Sequence, residues 1–146
     1  MLVRDIMTRA VKTIPADATL REAARLMAAQ DCGILPVAKG DRLVGMLTDR
    51  DIALRAVAQN KDPDTCTVQA VMTGDVKYLF EDETTEDLVR NMSDLQIRRL
   101  PVLDRDKRLV GIVSLGDLAA KTGDGRAAAA LRSVSGAAPT EGPVAG

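Results

Sequence analysis

The chain has 146 residues, 28% charged and 46% hydrophobic, with 20 basic and 21 acidic side chains, no His, no Trp, one Tyr and one Phe. Lack of imidazole excludes Ser-His-Asp and Cys-His nucleophile systems and His-ligated metals, and two aromatic rings cannot stack along a nucleic-acid strand. A net charge of −1 gathers neither phosphate polymers nor anionic lipid, no apolar run reaches the ~18 residues of a membrane helix, and the start Met1-Leu2-Val3-Arg4-Asp5 is no signal peptide.

A cytoplasmic protein without nucleic-acid or membrane partners is therefore expected. A short lead-in segment, Val3 to Met7, runs into an extended stretch from Val11 to Ile14. A helix follows, with Thr19 as its cap, Glu22 three residues on, and Leu20, Ala23, Ala24 and Met27 at helical spacing. Cys32, in an apolar stretch, reads as a small core residue; with Cys66 as the only other thiol, a closed metal site is not expected, and a reducing cytosol argues against a disulfide. The strand Ile34-Leu35-Pro36-Val37 turns through Lys39-Gly40-Asp41 and returns as Leu43 to Leu47, and a second helix begins near Asp49. Gln59 to Thr67 is a polar linker carrying Pro63; its Asp62-Pro63-Asp64 lacks the glycine and terminal acid of a calcium loop.

The chain then repeats itself. Shifted by 65 residues, Val3-Arg4-Asp5-Ile6-Met7-Thr8 falls on Val68-Gln69-Ala70-Val71-Met72-Thr73, and Leu35-Pro36-Val37 on Leu100-Pro101-Val102. One extra residue in the second turn makes the shift 66, and Arg42-Leu43-Val44-Gly45 matches Arg108-Leu109-Val110-Gly111. Copy two therefore reads alike: extended from Val76 to Phe80, a helix capped by Thr84 with Asp87 and the stripe Leu88, Met92, Leu95, then Leu100 to Leu103, a turn from Asp104 to Lys107, Leu109 to Val113, and a helix near Leu115. The turn's cluster of Arg105, Lys107 and Arg108 reads as a solvated face. The fold class is α+β, two β-α-β-β-α repeats at 1–60 and 61–121. A copy of this size buries too little surface alone, so the two are expected to pack sheet to sheet with pseudo-two-fold symmetry. The Gly/Ala/Pro-rich tail, 122–146, is expected to be disordered, apart from a helical turn at Ala127 to Leu131.

The segments that carry chemistry are Gly45-Met46-Leu47-Thr48-Asp49-Arg50-Asp51 and Gly111-Ile112-Val113-Ser114-Leu115-Gly116-Asp117. Each is a strand ending in a hydroxyl, with a carboxylate three positions on, in the first turn of a helix. Two readings are open. The pattern is that of a capping box, also present at Thr19/Glu22 and Thr84/Asp87. Equally, a strand-to-helix junction offers N–H groups and a dipole to a phosphate, a hydroxyl that can donate to it, and an acid that can accept from a ribose diol. No phosphate-binding or dinucleotide-binding glycine loop is present.

In their order and duplication, the Met-Thr lead-in, Thr-started helix, Leu-Pro-Val strand, polar turn and Gly-h-h-Thr/Ser-x-x-Asp ending (h, apolar) resemble a tandem pair of CBS (cystathionine-β-synthase) domains, the Bateman module, over about Val3 to Lys121. The resemblance implies a regulatory module without catalytic domain or cofactor. Its two pockets would hold an adenosine-containing ligand such as AMP, ADP, ATP or S-adenosylmethionine. Asp51 and Asp117 would hold ribose hydroxyls, Thr48 and Ser114 the phosphate side. Asp117 would face Lys12, Thr13, Ile14, Gly33, Ile34 and Leu35 of the other copy; Asp51 would face Lys77, Tyr78, Leu79, Arg98, Arg99 and Leu100. The copies differ: Arg98 and Arg99 stand where copy one has Gly33 and Ile34, as a polyphosphate contact or as a solvated rim, and Arg50, which can reach a phosphate, stands where copy two has Gly116. The resemblance also implies a homodimer formed through helices, read by a protein partner. The alternative is a ligand-free scaffold in which the four residues only cap helices.

Overall fold

In the computed structural model of the chain, residues 1–95 and 99–122 are described. The expected tail disorder, the turn at Ala127 to Leu131 and Arg98 lie outside them. The described chain forms two compact units, residues 12–76 in one and residues 1–11 with residues from 77 onward in the other. The division follows packing, where the repeat alone suggests a cut near residue 60: each lead-in segment completes the core of the other copy.

In the unit of residues 12–76, α1 spans Leu20–Gln30. Thr19 caps it as expected: its hydroxyl accepts from Glu22 N–H (3.2 Å) and Glu22 Oε2 accepts from Thr19 N–H (3.1 Å). The linker supplies further acceptors for the unpartnered first-turn donors, Cys66 O to Leu20 N–H (3.0 Å) and Pro63 O to Arg21 N–H (3.1 Å). Asp64 pairs with the Arg21 guanidinium, which holds its carboxyl below the ordinary range. An antiparallel hairpin follows, β1 (Ile34–Lys39) with β2 (Arg42–Thr48), bulged between Val37 and Ala38. The stretch before α1 pairs with β1 through one parallel bridge, Ile14 to Val37. α2 (Asp49–Ile52) runs on into a π-helical turn, Ala53–Val57. The short helix α3, Val68–Val71, is copy two's lead-in. Ile14, Leu20, Ala23, Met27, Leu35, Val37, Leu47, Val68 and Val71 make one core. Cys32 and Cys66 are free thiols at its margin.

The other unit repeats this plan. Copy one's lead-in forms a 3-10 turn, Val3–Asp5, tied by Val3 N–H to Glu83 O (2.8 Å) and Arg4 N–H to Glu81 O (3.0 Å). Its sheet has the order β3 (Leu79–Phe80), β4 (Arg99–Leu103), β5 (Leu109–Ser114), parallel then antiparallel. The extended stretch earns a strand here because Glu81 N–H adds a rung to Leu103 O (2.8 Å). α4 (Thr85–Leu95) and α5 (Leu115–Thr122) complete the unit. Val3, Ile6, Met7, Leu79, Leu88, Met92, Leu100, Val102, Val113, Leu115 and Leu118 form its core.

The repeated glycine of the Gly-h-h-Thr/Ser segment marks where a lead-in crosses the hairpin. A Cβ on Gly45 would lie 2.6 Å from Met72 Sδ and 2.9 Å from Thr73 O. One on Gly111 would lie 2.6 Å from Met7 Sδ and 2.9 Å from Thr8 O. The close approach admits two backbone hydrogen bonds at each crossing, Met46 with Thr73 (both 2.9 Å) and Thr8 with Ile112 (2.8 and 3.0 Å).

Candidate functional site

Each unit brings a hydroxyl, a carboxylate and the first residues of a strand to one end of its hairpin. In the unit of residues 12–76, Ile34 pairs with Thr48, so the start of β1 lies beside the end of β2. Thr48 Oγ1 accepts from Asp51 N–H (3.0 Å), and Asp51 Oδ2 accepts from Thr48 N–H (3.0 Å). In the other unit Arg99 pairs with Ser114. Ser114 Oγ accepts from Asp117 N–H (3.1 Å), and Asp117 Oδ2 accepts from Ser114 N–H (2.8 Å). The capping reading is therefore realised at both junctions.

Capping does not exhaust these groups. A carboxylate oxygen has two lone pairs and a hydroxyl can donate while it accepts. Among the described residues Asp117 Oδ1 takes no hydrogen bond or ion pair, and the Thr48 and Ser114 hydroxyls make no bond as donors. The box at Thr84 differs: its hydroxyl also donates to Asp87 Oδ2 (3.0 Å). There the Thr84 backbone N–H, followed by that hydroxyl, holds the Asp87 carboxyl below its ordinary range.

Arg55 was not among the residues expected at the site. Its Nε lies 3.8 Å from Asp51 Oδ1, and its Nη1 donates to Val71 O (3.2 Å). The Asp-to-Arg spacing of four within a helix is the signal that would have found it. Asp49 is a second. Its N–H donates to Gly33 O (2.9 Å), and a Cβ on Gly33 would come 2.7 Å from Asp49 Oδ2. A side chain at position 33 would have to displace the Asp49 carboxylate. Arg50 is exposed, with its N–H on Asp49 Oδ1 (2.8 Å).

The remaining expected residues fall into two groups. Ile14, Leu35, Leu79 and Leu100 direct their side chains into the two cores, so only their backbone groups are on offer to a ligand. Lys12, Thr13, Lys77 and Tyr78 are exposed, and Ile34 and Arg99 half-buried. Tyr78 meets Phe80 edge-on, ring centroids 5.5 Å apart. Among the described residues no group of three or more Cys, Asp and Glu side chains is placed to hold a metal ion, and no helix is long and apolar enough to cross a membrane.

Comparison with known proteins accords with this geometry. The CBS domain matches residues 3–57 and again 68–122. The chain is 46% identical over 117 residues to the CBS domain-containing protein YhcV of Bacillus subtilis, covering 80% of this chain and 82% of that one. The crystal structure of Hypoxic Response Protein I, with two coordinated zinc ions, is 37% identical and superposes with a TM-score of 0.75 over 82% of this chain and 98% of that one. The CBS domain pair of protein MJ0100, in complex with 5'-methylthioadenosine and S-adenosyl-L-methionine, is 34% identical with a TM-score of 0.72, over 84% of this chain and 96% of that one. Two family matches in tandem, each ending on the helix that Thr48 or Ser114 begins, establish that the chain belongs to the CBS-domain family as a domain pair.

Proposed function

We propose that this CBS pair is a non-catalytic regulatory module that binds adenosine-containing ligands, AMP, ADP, ATP or S-adenosylmethionine among them. Asp51 and Asp117 accept the ribose hydroxyls. Thr48 and Ser114 donate to the phosphate or its equivalent, and Arg50 adds a cation at the first of these sites. The backbone of Lys12 to Ile14 and Gly33 to Leu35, and of Lys77 to Leu79 and Arg98 to Leu100, reads the adenine. The observation that carries the reading is the unused capacity of the two junctions: a carboxylate oxygen at Asp117 and a hydroxyl proton at each cap. The adenosine compounds held by the MJ0100 pair support it. Ligand binding then acts by population shift, favouring one arrangement of a surface that a protein partner reads.

Calorimetric titration of the whole chain with the four ligands tests the proposal. Saturable heat is expected, with Asp51→Ala and Asp117→Ala each removing binding at its own site while costing about 1 kcal/mol of capping. Absence of heat from all four at about 1 mM, where even a weak site of roughly −4 kcal/mol is half filled, would leave the scaffold reading in place.

The same module is proposed to self-associate. Leu54 and Val57 on the π-helical turn are 49% and 68% exposed. Apolar side chains so displayed at one helical turn suit a second copy.

A further inference from the structure

Comparing the copies position by position uncovers a second site, away from the capped junctions. Ile14 pairs with Val37 as Leu79 pairs with Val102, so Thr13 corresponds to Tyr78, Pro15 to Phe80 and Ala38 to Leu103. At all three positions copy one has the smaller side chain. Asp17 corresponds to Asp82; Lys39, the last residue of β1, falls on Asp104, and Arg105 is the next residue, so each copy carries a cation at this end of its hairpin, one position apart.

In copy two this place is filled from within. The Arg105 guanidinium lies 4.1 Å from the centroid of the Phe80 ring and donates to Asp82 at 2.8 and 2.9 Å. Tyr78 closes against the same ring. In copy one the place is an open cavity of about 600 Å³, lined by Thr13, Pro15, Asp17, Ala38 and Lys39 among others. Lys39 and Asp17 form no ion pair with each other or with any other described residue. Both copies carry a cation at the turn end of the hairpin and the acid, and the ring over which the Arg105 guanidinium lies in copy two has no counterpart in copy one.

We propose that this groove binds a neutral, planar aromatic or heteroaromatic small molecule, its ring taking the place that Phe80 takes in copy two. Lys39 covers the ring face as Arg105 covers Phe80, an attraction between a cation and the ring quadrupole. Asp17 receives the other side of the ammonium or a donor on the ring. Val44 and Met72 supply an apolar floor. The groove sits at the turn end of the β1–β2 hairpin, while Thr48 and Asp51 stand at the opposite end. Six residues of β1 separate the two, roughly 16 Å at the usual strand rise. The proposal therefore does not depend on the adenosine reading.

The test follows amide chemical shifts of the full-length protein during titration with indole, with cyclohexanol as the non-aromatic control. Indole is expected to shift Gly40 and Gln69 saturably at millimolar concentration, and cyclohexanol to bind at least threefold more weakly. Pro15→Phe, which installs the copy-two residue, is expected to abolish the shifts. Ala38→Leu fills the groove from the other strand with the same result. Lys39→Ala, an exposed change that leaves the core untouched, is expected to weaken indole about three- to tenfold. Asp51→Ala and Asp117→Ala leave indole binding unchanged, which separates this site from the adenosine sites. No shift at about 5 mM indole overturns the proposal. So does equal affinity for cyclohexanol, or full indole binding by Lys39→Ala. Survival of the shifts in whichever of Pro15→Phe and Ala38→Leu keeps the wild-type fold also overturns it.

Discussion

Gly45→Ala tests most directly how the repeats exchange their lead-in segments. The new methyl would stand 2.6 Å from Met72 Sδ and 2.9 Å from Thr73 O. The thioether is a flexible chain end and can swing aside. The carbonyl cannot, because it accepts from Met46 N–H at 2.9 Å and is held by the reciprocal bond from Thr73 N–H. Relief therefore requires the lead-in segment to lift from β2. Overpacking of a tight contact costs about 1–3 kcal/mol, and weakening one backbone hydrogen bond about 0.5–1.5 more. A loss of about 3 kcal/mol is expected, a large fraction of the stability of a small domain. In urea, at a slope of about 2 kcal/mol per molar, the midpoint should fall by roughly 1.5 M. Gly111→Ala should behave alike, since Thr8 O lies at the same 2.9 Å. Gly74→Ala is the control: a Cβ there meets nothing within 4 Å, so the midpoint should move by less than about 0.3 M. An unchanged midpoint for Gly45→Ala would refute the argument that this glycine exists for the crossing.

Other outcomes follow from the same contacts. Met7→Ala should destabilise by about 2–4 kcal/mol, and hydrogen exchange should accelerate at Leu100 and Val102, where Met7 packs, more than at Leu35 and Val37 of its own repeat. Arg55→Ala should free Asp51 Oδ1 and tighten ligand binding at that junction, read as a lower Kd in calorimetry; weaker binding would make Arg55 a ligand contact instead. Leu54→Glu with Val57→Glu should leave the fold intact and convert a dimer to a monomer in light scattering. Asp64, Asp82 and Asp104 are held below the ordinary carboxylate range by the Arg21 guanidinium, the Arg105 guanidinium and the Arg108 backbone N–H respectively. A depressed carboxyl stabilises the fold above its unfolded value and loses that contribution as pH falls through the folded one. With no His in the chain, thermal midpoints should stay level from about pH 5.5 to 7 and fall below about pH 4.

Local signals were legible in the residues themselves. A hydroxyl before an amphipathic run, with an acid three positions on, marks a helix start whatever surrounds it, and Thr19, Thr48, Thr84 and Ser114 all cap as that spacing predicts. The hairpins were legible because apolar runs on either side of a polar turn have few other ways to bury a face. The duplication carried the two junctions and the family with it. The same spacing could not say whether Asp51 and Asp117 do anything besides cap, because capping and ligand binding ask for the same atoms.

Packing decided what periodicity cannot encode. A lead-in of three or four helical residues has no amphipathic period long enough to name its partner, so the exchange that puts Val3, Ile6 and Met7 into one core and Val68 and Val71 into the other emerges only in three dimensions. Gly45 and Gly111 looked like parts of a motif; the crossing backbone gives them their physical reason. Composition announced a chain nearly without aromatics, 146 residues holding one Tyr and one Phe. The sequence sets both rings two residues apart in copy two; only the tertiary structure laid the Arg105 guanidinium over one of them and left the matching spot of the other repeat open. Residues far apart in sequence become a site when a sheet aligns them, and neither length nor charge carries that alignment.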